Sequence, residues 1–380
     1  MIEISALHKL ILERIYRAGQ LTFPEFMQMA LYEPGLGYYT GQPNLIGARG
    51  DFYTAPHLTP VFGELLARQL AACWEQLGQP ANFQLVEMGA GQGVLAGDIL
   101  GWFYRNRPES WPTLTYTIVE VSEFLIQGQR RRLQAVGQSL GGLDLLAHVV
   151  WRDLANIEDA EITGICLSNE LVDAFPVHLV QLEGGKLVEI YVVADASGQL
   201  LEQIGPLSTT DLANYFEGLG LDLTDGSYPE GYRTEVNLAA PLWLAQVAAK
   251  LKHGYVLTID YGYTAARRFS PYRSQGTLQC YFNHTINHNP YLRVGGQDIT
   301  THVDFSSLML TGERNGLKTE SFETQAEFLT RWGIAEKFIE LSAEGSDRSP
   351  NERMTEHAAL LKLISPTEMG NFGVLLQSKE

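Results

Sequence analysis

The stretch Val86-Glu87-Met88-Gly89-Ala90-Gly91-Gln92-Gly93 decides the fold of this chain of 380 residues. The apolar run from Phe83 to Val86 leads into it and predicts a short buried strand. Behind it, apolar residues recur at roughly helical spacing, at Val94, Leu95, Ile99, Leu100 and Phe103. Glycines between a strand and a helix permit a tight turn and close approach of a ligand, and the helix start adds free N–H groups. The sequence therefore predicts a ligand-binding turn after the first strand of an α/β sheet.

Two classes of ligand suit such a turn, and an ordinary turn without a ligand is the third alternative. Dinucleotides use Gly-x-Gly-x-x-Gly, and Gly91, Gly93 and Ala96 form an allowed variant of that pattern. Glu87 argues against a dinucleotide, because a carboxylate beside the glycines would repel pyrophosphate. It would suit the amino group of S-adenosylmethionine (SAM), which we therefore favour as cofactor. The residues predicted to hold SAM at this turn are Glu87, Gly89, Ala90, Gly91 and Gly93.

The composition is that of a globular protein, with 45% hydrophobic residues and a mean hydropathy of −0.08. No run of about 18 apolar residues is present, so we predict no membrane span. The net charge of −17 argues against a nucleic-acid partner, because phosphate backbones would be repelled. It is compatible with a cationic protein segment as partner, or with solubility alone. Three widely spaced cysteines indicate a reducing compartment rather than a disulfide frame or a zinc site: Cys73, Cys166 and Cys280.

Acidic residues also follow the second and third predicted strands. The second runs from Leu114 to Val121, and an acidic residue at its end, here Glu120, accepts hydrogen bonds from ribose hydroxyls in Rossmann-type sheets. A solvated charge is the alternative for Glu120. The third predicted strand, Leu145 to Val150, precedes Asp153, which we expect either to contact the adenine or to cap a helix.

The fourth predicted strand, Gly164 to Ser168, runs directly into Asn169, Glu170 and Asp173. Chemistry in open α/β sheets lies beyond the carboxyl ends of the strands, near the switch point. We therefore predict these three residues as catalytic, and the alternative is that Asn169 caps a short helix.

The rest of the chain predicts a covering segment and an insertion. The Tyr- and Gly-rich residues before the sheet form either a packing strap or a lid that offers Asp51 and Thr54. Gly184-Gly185 predicts a β-hairpin within residues 178–204, and Asn and Pro around His284 and His288 argue against a metal site. The expected domains are an N-terminal helix with covering loops (1–60), a first half-sheet (61–177), an inserted hairpin and helical subdomain (178–240), and the second half-sheet with substrate-side loops (241–380).

Seven motifs together resemble the MidA family of SAM-dependent methyltransferases, which is related to a mitochondrial complex I assembly factor that methylates an arginine. They are Tyr32–Tyr39, Gly50–Thr54, Glu87–Gly93, Ser168–Pro176, Ile259–Gly262, Gln297–Thr300 and His302–Phe305. The resemblance spans most of the chain. It implies an α/β fold with a class I methyltransferase (Rossmann-like) sheet and SAM at the glycine turn. It also implies a protein substrate with an arginine, in a respiratory or NDH-type complex I subunit. Without a recognisable presequence, a bacterial cytoplasmic location is expected.

The chemistry of such an acceptor suggests roles for the acidic residues. A guanidinium has a pKa above about 12 and is a poor nucleophile, and a sulfonium beside it adds a second positive charge. Glu170 and Asp173 would fix the guanidinium plane and offset this repulsion, with Asn169 orienting them. His302 and Asp304 are further candidates for pocket walls. The rival functions are a small-molecule methyltransferase, a SAM-binding assembly chaperone without catalysis, and an NAD-dependent enzyme.

Overall fold

The computed structural model describes residues 5–41, 54–343 and 349–380. The chain divides into two compact units with interleaved segments. The sheet unit consists of Tyr53–Leu171, Leu244–Tyr261 and Met309–Glu380. The insert unit consists of Met1–Phe52, Val172–Trp243 and Gly262–Leu308. The predicted insertion 178–240 therefore lies within a longer segment of the insert unit, and Asp51 lies outside the described residues.

A seven-stranded mixed sheet organises the sheet unit. Its strands, numbered along the chain, are β1 Phe83–Met88, β2 Leu114–Val119, β3 Val149–Arg152, β4 Ile162–Asn169, β5 Leu251–Asp260, β6 Lys318–Thr324 and β7 Gly373–Lys379. The spatial order is β3-β2-β1-β4-β5-β7-β6, and β7 runs antiparallel to the other six strands. The chain moves outward from β1 to β3 and then returns to β4, so the switch point lies between β1 and β4. The predicted α/β methyltransferase fold is confirmed.

Helices surround this sheet because its strands are apolar on both faces. Leu85 and Val86, neighbours in β1 on opposite faces, are both buried, as are Tyr116 of β2 and Ile165 of β4. The helices of the unit are Ala55–Leu58, Val61–Gln76, Val94–Asn106, Glu123–Ser139, Gln325–Arg331, Ile334–Ser342 and Pro350–Ile364, with 3-10 turns at Trp111–Thr113, Leu145–His148, Leu154–Asn156 and Met369–Asn371. Two more helices, Ala239–Lys250 and Phe305–Arg314, each run from one unit's segment into the other's.

The insert unit is built on a five-stranded sheet whose strands pair antiparallel. These strands are Leu21–Thr22, His178–Glu183, Lys186–Ala194, Leu200–Gly205 and Arg233–Val236. Its helices are Ala6–Ala18, Phe23–Tyr32, Tyr38–Gly41, Asp211–Gly218 and Ala265–Arg268, and its shorter strands are Gly262–Tyr263, Gln279–Phe282, Thr285–Asn287, Asp298–Thr300 and Val303–Asp304. Gly184 and Gly185 have φ values of 57° and 72°, so the predicted hairpin turn is confirmed.

One predicted element differs from the structure. Residues Leu145–His148 form a 3-10 turn rather than the start of a strand, because the Asp144 carboxylate accepts a hydrogen bond from the Leu146 N–H. The helices Gln325–Arg331 and Ile334–Ser342 are separated at Gly333, whose φ of 98° interrupts the helical conformation. Among the described residues, no helix is long and apolar enough to cross a membrane.

Candidate functional site

The carboxyl ends of four parallel strands bring most of the predicted site residues to one edge of the sheet. The strand register pairs Met88 with both Val119 and Ser168, and Val119 with Arg152. The glycine turn, Glu120, Asp153 and the pair Asn169–Glu170 follow these four positions directly. The structure therefore collects at this edge the residues that the sequence placed at the ends of separate strands.

The glycine turn adopts a backbone that requires glycine. Gly89, Gly91 and Gly93 have φ values of 75°, 50° and 72°. A Cβ atom on Gly89 would lie 2.9 Å from Cδ1 of Leu171, and one on Gly93 would lie 3.1 Å from Cγ of Gln129. Gly93 is also the N-cap of the helix Val94–Asn106. The turn is therefore tight, and it leads directly into a helix N-terminus.

Glu87 is a buried carboxylate in the strand just before this turn. Its side chain is 3% exposed, and the Tyr116 hydroxyl donates a 2.8 Å hydrogen bond to its Oε2. Burial raises the pKa of Glu87 to about 7, although the Tyr116 hydrogen bond acts in the opposite direction. A cation placed beside Glu87 would favour its ionised form.

Gln129 fixes the turn, and sequence reasoning missed it. Its fully buried side chain donates a 2.8 Å hydrogen bond from Nε2 to the Gly91 carbonyl. Its Oε1 accepts a 2.7 Å hydrogen bond from Nε1 of Trp151 in β3. The sequence contains a pattern that could have identified Gln129. It lies four residues after Leu125 and four before Leu133, on the apolar face of a helix. A polar residue on such a face needs a partner.

Glu120 and Asp153 hold local backbone groups at the ends of β2 and β3. Oε1 of Glu120 accepts hydrogen bonds from the N–H groups of Val121 (2.9 Å) and Ser122 (2.8 Å). Burial raises the pKa of Glu120, and these hydrogen bonds oppose the shift. Asp153 is exposed, and its Oδ1 caps a 3-10 turn by accepting from the Ala155 N–H at 2.9 Å. The capping role of Asp153 is observed, while contact with adenine stays a prediction.

Glu170 has a strained backbone at the end of β4. Its φ is +50°, a left-handed conformation that side-chain-bearing residues rarely adopt. Its N–H donates to the Ile259 carbonyl of β5 at 2.9 Å. Its Oε1 accepts from Nδ2 of Asn169 at 3.2 Å and from the Ala55 N–H at 3.3 Å. Neighbouring groups thus hold this carboxylate in a defined position beside the switch point.

Thr54 contacts a histidine that the sequence reasoning did not identify. Its Oγ1 lies 2.6 Å from Nδ1 of His57. Burial, followed by the nearby Arg132 guanidinium, lowers the pKa of His57. The side chain of Gln92, in the glycine turn, acts on the His57 pKa in the opposite direction. Thr54 and His57 therefore belong to the surroundings of the turn.

The remaining predicted site residues lie in the insert unit. Asp173 is 5% exposed, and its carbonyl accepts a 2.9 Å hydrogen bond from the Thr301 N–H. Tyr39 donates from its hydroxyl to Oδ1 of Asp298 at 2.9 Å, and its ring stacks on Tyr32 with 5.5 Å between centroids. Burial, with the charges of Asp298 and Asp173, raises the pKa of both tyrosines. Motifs that are distant in the sequence thus converge within this unit.

His302 and Asp304 also lie in the insert unit. Burial, with the nearby Arg268, Arg273 and Arg267 guanidiniums, lowers the pKa of His302 to about 4. Asp304 accepts a 2.8 Å hydrogen bond from the Tyr215 hydroxyl. Their role as pocket walls stays a prediction. Within the described part of the chain, no group of three His, Cys, Asp or Glu side chains could hold a metal ion.

Comparison with known proteins gives consistent matches. Residues 65–323 match the family model described as S-adenosyl-L-methionine-dependent methyltransferase. A crystal structure of a Burkholderia thailandensis protein bound to S-adenosyl-homocysteine has a TM-score of 0.86 and 31% identity, covering 98% of this chain and 92% of that one.

Curated relatives carry the name protein arginine methyltransferase NDUFAF7, mitochondrial. The Drosophila melanogaster homolog is 28% identical over 82% of this chain and 71% of its own length. The Homo sapiens protein is 27% identical over 96% of this chain and 82% of its own length.

Proposed function

Since the chain belongs to the family of SAM-dependent methyltransferases, we propose that it methylates an arginine side chain of a protein substrate. The observation that carries the proposal is the carboxylate of Glu170, held beside the switch point in a strained backbone conformation. The names of the curated relatives support the same acceptor. A subunit of a respiratory or NDH-type complex I is the acceptor that the resemblance suggests.

The residues at the sheet edge fit the cofactor. The turn has no side chains at Gly89 and Gly93, so a ligand can approach its backbone closely. The buried carboxyl group of Glu87 suits an ammonium group of that ligand. In our proposal the glycine turn, including Ala90, contacts the methionyl part of SAM, and Glu87 binds its amino group. Glu120 would bind the ribose, and Asp153 would contact the adenine. Thr54 would line the same site. When bound, SAM supplies an activated methyl group on a sulfonium, so the protein mainly has to align the acceptor.

Glu170 would bind the acceptor guanidinium. A carboxylate and a guanidinium form paired, charge-assisted hydrogen bonds that fix the guanidinium plane. Its negative charge offsets the repulsion between two cations, and the 3.2 Å hydrogen bond from Asn169 orients the carboxylate. We propose Asp173 as the second carboxylate because it follows Glu170 so closely in the sequence.

The test combines cofactor binding with methyl transfer. Mass spectrometry of arginine methylation in cells with and without the gene would identify the acceptor protein. With that acceptor, we expect Glu170→Gln and Asp173→Asn to bind S-adenosyl-homocysteine normally by calorimetry and to lose at least about 100-fold in transfer rate. Glu340→Gln, which neutralises an exposed glutamate, serves as control and should retain full activity.

Other outcomes would point to the rival functions. Turnover on a small molecule without any protein acceptor would indicate a small-molecule methyltransferase. Binding of a partner protein that is equally tight in both variants, with no methylation by the wild type, would indicate an assembly chaperone. Undiminished transfer by Glu170→Gln would remove this residue from the catalytic group.

A further inference from the structure

One stretch of this acidic chain contains no acidic residue. The chain as a whole has 44 Asp and Glu against 27 Lys and Arg. From Tyr261 to Gln297, however, the sequence contains neither Asp nor Glu. The same stretch contains four arginines: Arg267, Arg268, Arg273 and Arg293. It therefore forms a local concentration of positive charge in a protein of net charge −17.

Two of these arginines stack on the same tyrosine instead of pairing with a carboxylate. The guanidinium carbons of Arg267 and Arg273 lie 4.3 Å and 4.6 Å from the centre of the Tyr263 ring. Within the described residues, neither side chain makes a hydrogen bond or an ion pair, and Nε of Arg273 is buried without an acceptor. Stacking on the ring holds both guanidiniums in place.

Arg268, in the same segment, differs from Arg267 and Arg273 because its charge is paired inside the fold. Its side chain is buried, and its Nε donates a 2.8 Å hydrogen bond to the His302 carbonyl. It also forms a 3.1 Å ion pair with Glu235. Its charge is thus neutralised within the fold. The charges of Arg267 and Arg273 are not neutralised in this way.

The surroundings of these arginines have the composition of a protein interface. Tyr272, next to Arg273, is 99% exposed. Arginine and tyrosine are enriched where proteins bind one another, because both supply large contact areas and hydrogen-bond donors. We refer to Tyr263, Arg267, Tyr272 and Arg273 as the arginine surface.

We propose that the arginine surface docks an acidic segment of a partner protein. Carboxylates of that segment would accept paired hydrogen bonds from Arg267 and Arg273, and Tyr272 would pack against its backbone. Stacking on Tyr263 orders the guanidiniums before binding, which reduces the entropy lost on association. Nucleic acid is a poorer fit, because the net charge of −17 would repel a long polyanion. The proposal does not depend on which residue the enzyme methylates.

The test uses a fluorescein-labelled peptide of alternating glutamate and glycine, with binding followed by fluorescence anisotropy at low salt. We expect the wild-type chain to bind it, and Arg267→Glu/Arg273→Glu to bind at least about tenfold more weakly. Arg267→Gln/Arg273→Gln should fall between them, and circular dichroism would verify that both variants are folded. Tyr272→Ser should weaken binding with no change in charge.

The matched control is Arg14→Glu/Arg17→Glu, which makes the same charge change at two exposed positions of the helix Ala6–Ala18. It should bind the peptide like the wild type. An equal loss in this control, no binding by the wild type, or tighter binding of a single-stranded oligonucleotide than of the peptide would each overturn the proposal. Since the assay contains neither SAM nor acceptor, its failure is distinct from failure of the proposed function.

Discussion

At the scale of single residues, burial changes the charge that a side chain carries. Burial raises the pKa of both Glu87 and Asp98 to about 7, although the groups around the two carboxyls differ. The charge of Asp98 also adds to the raised pKa of Glu87. Near neutral pH, the sheet unit therefore contains carboxyl groups that a bound cation would ionise.

Glu87 should make stability depend on pH. Its folded pKa of about 7 lies above the ordinary value of 4.5, so the folded chain holds a proton that the unfolded chain has released. The free energy of unfolding therefore falls as pH rises through this range, by on the order of 3 kcal/mol for this group. Urea unfolding at pH 5 and pH 8, without SAM, would measure the fall, and Glu87→Gln should show a smaller one. A wild type of equal stability at both pH values would contradict a protonated Glu87.

At the scale of secondary-structure elements, the glycine turn depends on the helix Glu123–Ser139 and on β3. Both are joined to it through Gln129, whose amide reaches Gly91 and Trp151. The Arg130 guanidinium lies 4.0 Å over the Trp151 ring and adds a contact between the same helix and strand. The conformation of the turn is therefore determined by contacts outside the glycine motif as well as by its glycines.

Gln129→Leu should weaken cofactor binding. The variant keeps the volume of the side chain but leaves the Gly91 carbonyl without its donor, and we expect about tenfold weaker S-adenosyl-homocysteine binding by calorimetry. Trp151→Phe, which keeps the hydrogen bond to Gly91, is the matched control and should bind more tightly than Gln129→Leu. If the acceptor KM rose while the cofactor affinity stayed the same, Gln129 would have no role in the cofactor site.

At the scale of the whole molecule, each unit has its own interior. That of the sheet unit buries polar groups such as Glu87 and Gln129 among apolar side chains. That of the insert unit also buries the ion pair of Arg268 with Glu235. Glu235 accepts further hydrogen bonds from Thr277, through both N–H and hydroxyl at 2.9 Å, and from the Leu278 N–H at 3.0 Å. This network joins a strand, a helix and a loop of the insert unit.

Glu235→Gln should destabilise the insert unit by about 3 kcal/mol, because it leaves the buried Arg268 guanidinium without a counter-charge. Hydrogen exchange read by mass spectrometry should show faster exchange in 172–243 and 262–308, and little change in β1 to β4. The control is Glu202→Gln, which breaks the more exposed pair with Arg233 and should cost less than about 1 kcal/mol. Equal effects of the two variants would show that the buried pair has no special role.

The sequence by itself determined the local elements and the cofactor. The strand, glycine turn and helix around Gly91, and the acidic residues after successive strands, follow from patterns of neighbouring residues, because hydrophobic periodicity and glycine positions are local properties. The resemblance of seven motifs to one family predicted the methyltransferase correctly, since the full set is far more specific than any single motif. The third strand begins at Val149 rather than at Leu145, because Asp144 caps a 3-10 turn at Leu145–His148. The apolar pattern of the sequence does not reveal this cap.

Only the tertiary structure decided which distant residues meet. It brought Gln129 to Gly91, Ala55 to Glu170 and Thr301 to Asp173, and it assigned Glu170 and Asp173, neighbours in the sequence, to different units. The physical reason is that such contacts depend on how elements pack after long stretches of chain, and packing is set by the shapes of all the side chains in the interior. A pattern in one stretch of sequence therefore does not predict contacts with residues in distant stretches.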